Sequence, residues 1–153
     1  MRGEVEREAT LSYEEILALG DAVRQATLDC TGGWYTVRRW GGVPVTALLE
    51  QAGFKDGARS LLVHSSTGYA RRFPLGEADG LLLATHVEDE PLSAGHGFPL
   101  RLVAPGHRGY GWVKWVAELE VSSDPAWLEP PLPLQQVPRT RSASAARPSA
   151  RFL

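Results

Sequence analysis

The chain has a single cysteine, Cys30, among its 153 residues. One thiol forms no intramolecular disulfide, so folding does not depend on an oxidising compartment. Nor can it supply a CxxC pair. The four histidines, His64, His86, His96 and His107, lie ten or more residues apart, so no HxxxH or multi-thiolate zinc site is written here. Taken alone, each reads as a surface or hydrogen-bonded residue. No run of eighteen apolar residues occurs, which excludes a membrane span in this chain. The charged start "MRGEVEREAT" lacks the apolar stretch of a signal peptide, so the chain as written is expected in the cytoplasm. A net charge of −2 gives no reason to expect nucleic acid as a partner. There is no GxGxxG opening a helix after a strand and no GxxxxGK[ST], which argues against dinucleotide and P-loop sites.

What is present is enough for one core of ordinary globular composition. "TLSYEEILALG" predicts a helix, with Ser12 as cap, Glu15 completing a capping box and Gly20 as the stop. "VRQATLDC" reads as a strand leading into Cys30, and the glycine-bearing "TGGWYTVRRWGG" as a loop. "VPVTALLEQAG" predicts a second helix with Pro44 near its first turn and Gly53 past its end. "ARSLLVHSS" and "YARRFPL" read as strands around a Thr67-Gly68 turn. "ADGLLLATHV", "PLRLVAPG" and "GYGWVKWVAELEVS" supply further strands. Short helices scattered among many strands indicate an α+β fold with a mixed sheet, not a regular βαβ repeat. The expected organisation is a domain over 1–124, a surface-lying extension over 125–134 anchored by Trp127 and Leu128, and a disordered Pro/Ser/Ala/Arg tail over 135–153.

Three segments carry candidate chemistry. Most free cysteines are small buried hydrophobes, but Cys30 ends a strand before a glycine-rich stretch, the kind of place where sheet proteins gather active-site groups. Arg38 and Arg39, folded back over it, would lower its pKa. A thiolate so placed serves as a nucleophile or as a soft metal ligand. The second segment, "AGHGFPLRLVAPGHRGYGWVKWV", combines backbone-exposing glycines with Arg101, His107, Arg108 and Lys114. It reads equally as a cradle for an anion or as a pair of turns bearing solvated cations. In the third, "SSTGYARRFPL", Tyr69 follows a tight turn; a lone strand tyrosine is ordinarily packing.

In order, "TLSYEEILAL", "ATLDCTGGW", "WGGVPVTALLEQAG", "VHSSTGYARRFPLGEA", "HGFPLRLVAPG" and "GYGWVKWVAELEV" resemble the molybdenum-cofactor domain of the sulfite oxidase family of molybdopterin-dependent oxidoreductases, over about Leu11 to Val121. The resemblance implies that Cys30 is the one protein ligand to molybdenum, the remaining sulfurs coming from the pterin dithiolene. It implies a cradle for the pterin phosphate with His96, Arg101 and Lys114 as leading contacts and His107 and Arg108 beside them. It also puts Tyr69 in the segment that places a tyrosine near the metal. The implied chemistry is two-electron oxygen-atom transfer to or from a small oxyanion or a sulfoxide-type substrate, with a separate electron partner such as a cytochrome.

Two departures stand out. Sulfite oxidases carry an arginine shortly after the cysteine, where "CTGGWY" has none; this weakens the case for sulfite and resembles the bacterial branch, which includes periplasmic sulfoxide reductases. The resemblance also puts Met1 inside a strand of the family's fold. That implies a late start, a truncated relative, or a piece of a longer chain whose preceding segment would direct it to the periplasm or a membrane. The competing expectation is a cofactor-free relative that keeps the fold as a binding or interaction module. A cysteine-nucleophile hydrolase ranks third, for want of an evident base.

Overall fold

The computed structural model describes residues 1–30 and 32–130. Ser12 caps α1 (Tyr13–Leu17) through the amide of Glu15, while the Glu15 carboxylate takes the Ser12 amide at 2.7 Å, the reciprocal pair expected from sequence. α2 (Val45–Ala52) starts after Pro44 and stops at Gly53, whose φ of +64° admits glycine readily. It buries Val45, Leu48, Leu49 and Ala52, the i, i+3, i+4, i+7 stripe of an amphipathic helix. Burying each of those leucines contributes roughly 1.5–3 kcal/mol relative to exposure.

Two sheets share the core. The first runs β1 (Arg2–Gly3), β9 (Val116–Ser122), β4 (Ser60–Ser65), β5 (Ala70–Pro74), with β1 parallel to β9 and the other pairs antiparallel. The second runs β2 (Ala22–Asp29), β3 (Tyr35–Pro44), β6 (Leu82–Val87), β7 (Glu90–Pro91), with β8 (Arg101–Val103) also pairing β6. Leu61, Val63, Phe73, Leu82, Leu102 and Val121, drawn from both sheets, are almost fully buried. Both strand directions with few, short helices make this an α+β mixed-sheet fold, as expected.

One element differs from the expectation. Of the stretch read as a loop, residues 35–42 belong to a ten-residue strand, β3, and pair residue for residue with β2 from Ala22↔Gly42 to Asp29↔Tyr35. Its glycines sit at the two ends. Gly32 and Gly33 form the hairpin turn, and Gly41 and Gly42 mark a bulge against β6, leaving Tyr, Thr, Val and Trp, good strand formers, between them. The expectation for Trp127 and Leu128 also needs correction. Trp127 is exposed, and the 124–130 segment is held by its carbonyls together with the carboxylates of Asp124 and Glu129. Arg72, buried on β5, donates from Nε to the Leu128 carbonyl at 2.9 Å, and Arg71 reaches the Pro130 carbonyl at 3.2 Å. The tail expected over 135–153, and the last residues of the expected extension, lie outside the described residues.

A β-carbon at Gly42 would lie 2.1 Å from the Leu83 carbonyl oxygen and 2.7 Å from the Ala84 α-carbon, both backbone atoms of the neighbouring strand. Gly42→Ala is therefore expected to destabilise the protein by about 2 kcal/mol or more. The measurement is the shift in urea midpoint at unchanged m-value.

Candidate functional site

The β2–β3 hairpin positions the cysteine. The Cys30 amide donates to the Trp34 carbonyl at 2.9 Å, and the Gly33 amide to the Cys30 carbonyl at 3.0 Å, closing a turn in which Gly33 takes φ +85°. This leaves Cys30 half-buried, on the wall of a cavity of about 670 Å³. Strand alternation sends Thr36, Arg38 and Trp40 of β3 into the same cavity. The opposite wall comes from the cradle segment: Gly95 and His96, Arg101 at the head of β8, Gly109 and Tyr110, and Lys114. A bridge between Asp29 and Arg108 draws the Arg108–Tyr110 main chain against the end of β2. The approach is tight at Gly109, where a β-carbon would stand 3.1 Å from the Asp29 carbonyl oxygen and 3.5 Å from the Cys30 α-carbon.

The electrostatics centre on Arg101. It is only 4% exposed, and among the described residues its side chain makes one hydrogen bond, from a terminal nitrogen to the His96 carbonyl at 3.3 Å. Its Nε has no partner among the described residues. The guanidinium sits 5.1 Å from the Trp40 ring centre and 5.8 Å from that of Trp112, and the two rings meet edge-on at 5.6 Å. Burial pushes its pKa down to about 10, still protonated at neutral pH. The buried Nε1 of Trp40 is likewise without a partner. Lys114 donates to the Gly95 carbonyl at 2.7 Å, and its pKa is lowered by burial and then by the neighbouring Arg101. Neither cation has a carboxylate partner among the described residues. The one acid lining the cavity, Glu88, takes the Arg39 amide at 2.9 Å. Buried, unpaired cations and orphan donors are costly unless a ligand completes them.

A second cavity, of about 440 Å³, adjoins the first across Arg101, Gly109, Tyr110 and Lys114. Tyr69 lies here, its hydroxyl donating to the Tyr110 carbonyl. Burial raises its pKa, opposed by Arg71, whose guanidinium stacks 4.6 Å from the ring centre. Trp115 closes the far side at φ +53°, a backbone conformation uncommon for tryptophan, with its indole N–H on the Ala94 carbonyl at 2.9 Å.

The structure thus brings Cys30, His96, Arg101 and Lys114 to one cavity and puts Tyr69 in the adjoining one. His107 and Arg108 are not brought in. The His107 ring pairs with Glu77 at 2.8 Å and packs on Phe73, while Arg108 extends into solvent, 3.9 Å from Asp29. That segment contributes backbone to the site, not its basic side chains. The two arginines considered as partners of Cys30 also divide. Arg39 faces away and pairs with Asp89; Arg38 shares the cavity. Thr36, Trp40 and Tyr110 were missed from sequence, although the alternation Thr36, Arg38, Trp40 is the signal a strand reading would have used.

A family model described as the oxidoreductase molybdopterin binding domain matches residues 1–127. The chain is 30% identical over 125 residues to the uncharacterized oxidoreductase YuiH of Bacillus subtilis, covering 80% of this chain and 63% of that one. It is 31% identical over 114 residues to the mitochondrial sulfite oxidase of Rattus norvegicus, covering 65% of this chain and 20% of the rat protein. Among solved structures, the sulfane dehydrogenase SoxCD of Paracoccus pantotrophus superposes with a TM-score of 0.76 at 28% identity, over 80% of this chain and 37% of that one. The chain therefore spans less than two thirds of the length of each of these relatives. The family model covers more than half of the chain: this chain belongs to the oxidoreductase molybdopterin binding domain family.

Proposed function

We propose that the chain binds a molybdopterin cofactor, with Cys30 ligating molybdenum, and serves two-electron oxygen-atom transfer on a small oxyanion or sulfoxide-type substrate. The observation that carries the reading is the pairing, in one cavity, of an accessible thiol with a buried arginine whose Nε lacks a partner. A lone cysteine would be ambiguous. An unpaired guanidinium beneath the same cavity calls for an anion, and a pterin bearing both a dithiolene-bound metal and a phosphate meets the two demands together. The residues therefore fit the group.

When bound, the group supplies a metal that exchanges an oxygen atom with substrate. The protein's own part is ligation, positioning and charge. The thiolate of Cys30 offers a soft donor to the metal, on a turn tied at both ends by backbone hydrogen bonds. Arg101 and Lys114 hold the anionic end, Arg101 packed over a pair of touching indoles and Lys114 tethered to Gly95. His96 lines the same cavity with Nδ1 engaged by Ser93 at 2.7 Å. That bond leaves Nε2 as the nitrogen for a ligand. Tyr69 holds its hydroxyl hydrogen at the Tyr110 carbonyl, on the loop shared by the two cavities; turned from that carbonyl, the same hydrogen would be donated to a substrate oxygen. In this reading reoxidation or reduction falls to a separate electron partner such as a cytochrome. Among the described residues no helix is long and apolar enough to cross a membrane.

Protein produced in a host that makes the cofactor is expected to carry stoichiometric molybdenum by elemental analysis. Cys30→Ser is expected to lose the metal while keeping the circular dichroism and thermal midpoint of the cofactor-free parent. Parent protein without molybdenum would refute the enzyme reading and favour a cofactor-free module.

Replacing the buried cation gives a test with opposite signs. Arg101→Met should stabilise cofactor-free protein, by about 1 kcal/mol or more, because it removes an uncompensated charge and an orphan donor from the interior. The same change should sharply weaken cofactor retention. Denaturant midpoints and molybdenum content measure the two effects.

A further inference from the structure

Resting on that reading, we propose that Arg38 is an additional cofactor-anchoring cation, gripping the anionic end of the pterin from the wall opposite Lys114. Arg38 lines the first cavity, and its side chain makes no hydrogen bond or ion pair among the described residues. Its place along β3 decides which end of the cavity it serves. Cys30 lies opposite Trp34, and Arg38 is four residues further on, about 13 Å along the strand. Trp40, whose ring carries the Arg101 guanidinium, is the next side chain on the same face, about 7 Å away. An extended arginine at 38 therefore reaches the Arg101 end more readily than the metal end. Bidentate geometry suits a guanidinium to a phosphate, and Arg38 would add a second fork of donors to a phosphate dianion whose charge Arg101 and Lys114 balance.

Its neighbour provides the internal comparison. Arg39 follows in sequence, carries the same charge and projects from the opposite face of the strand, where Asp89 pairs with it. An effect of net charge alone would be the same for the two residues. Contact with a ligand in the cavity would belong to Arg38 only. Arg38 is exposed, so its truncation leaves the core untouched.

The experiment compares the full chain with Arg38→Ala and Arg39→Ala by two readouts. The first is the affinity of cofactor-free protein for inorganic phosphate, by calorimetry. The second is the molybdenum retained by protein from a cofactor-producing host after dialysis against moderate salt. Loss of one charge-assisted contact predicts roughly tenfold weaker phosphate binding in Arg38→Ala. It also predicts faster loss of molybdenum, with Arg39→Ala matching the parent in both. Parent protein that binds no phosphate overturns the proposal, as do an Arg38→Ala variant indistinguishable from parent in the phosphate readout and equal losses in the two variants. A parent that binds phosphate through Arg38 but carries no molybdenum would keep the anion contact and refute the enzyme reading instead.

Discussion

A guanidinium held in the interior without a carboxylate is the constraint on which the rest of this structure turns. Arg101 packs over Trp40 and Trp112, which touch each other, with one backbone acceptor and an Nε that bonds to nothing among the described residues. Two indole faces offset part of the desolvation, each such contact contributing on the order of 1 kcal/mol, but they do not satisfy an N–H. A core built for stability alone would place an apolar side chain there. The cation is tolerable if an anion completes it, and the surrounding architecture leaves the room for one.

The hairpin and the cradle are two solutions to the same geometric demand. β2 and β3 bring Cys30 and an alternating row of side chains to one wall, while the segment from Gly95 to Lys114 brings cations and glycine backbone to the other. They meet at Gly109, where a β-carbon would press on the main chain of Asp29. Tyr110, next in sequence, then separates the two cavities and takes the Tyr69 hydrogen bond. One short loop thus joins the thiol, the cations and the tyrosine, which explains why residues far apart in sequence converge without a metal-binding motif of the CxxC or HxxxH kind.

Much of this was legible beforehand because local signals and the fold agreed. The Ser12 capping box, the α2 stripe between Pro44 and Gly53, and the β4–β5 hairpin around Thr67-Gly68 all follow from short-range rules. Resemblance supplied Cys30, His96, Arg101 and Lys114 as a set, and the structure gathers them. The failures have a common cause. Strand β3 was obscured by glycines that serve its ends, and with it went the reading of Thr36, Trp40 and the separate directions of Arg38 and Arg39. His107 and Arg108 looked like cradle residues because composition counts charges without giving their direction; Glu77 and solvent claim them. Similarly, Trp127 looked like an anchor by its size, whereas the carbonyls around it are what the buried arginines of β5 hold.

The most direct test of the central claim is X-ray absorption at the molybdenum edge on protein from a cofactor-producing host. The account predicts a sulfur neighbour contributed by Cys30 in addition to the dithiolene pair. A metal coordinated by the dithiolene sulfurs alone, or no molybdenum signal at all, would contradict it.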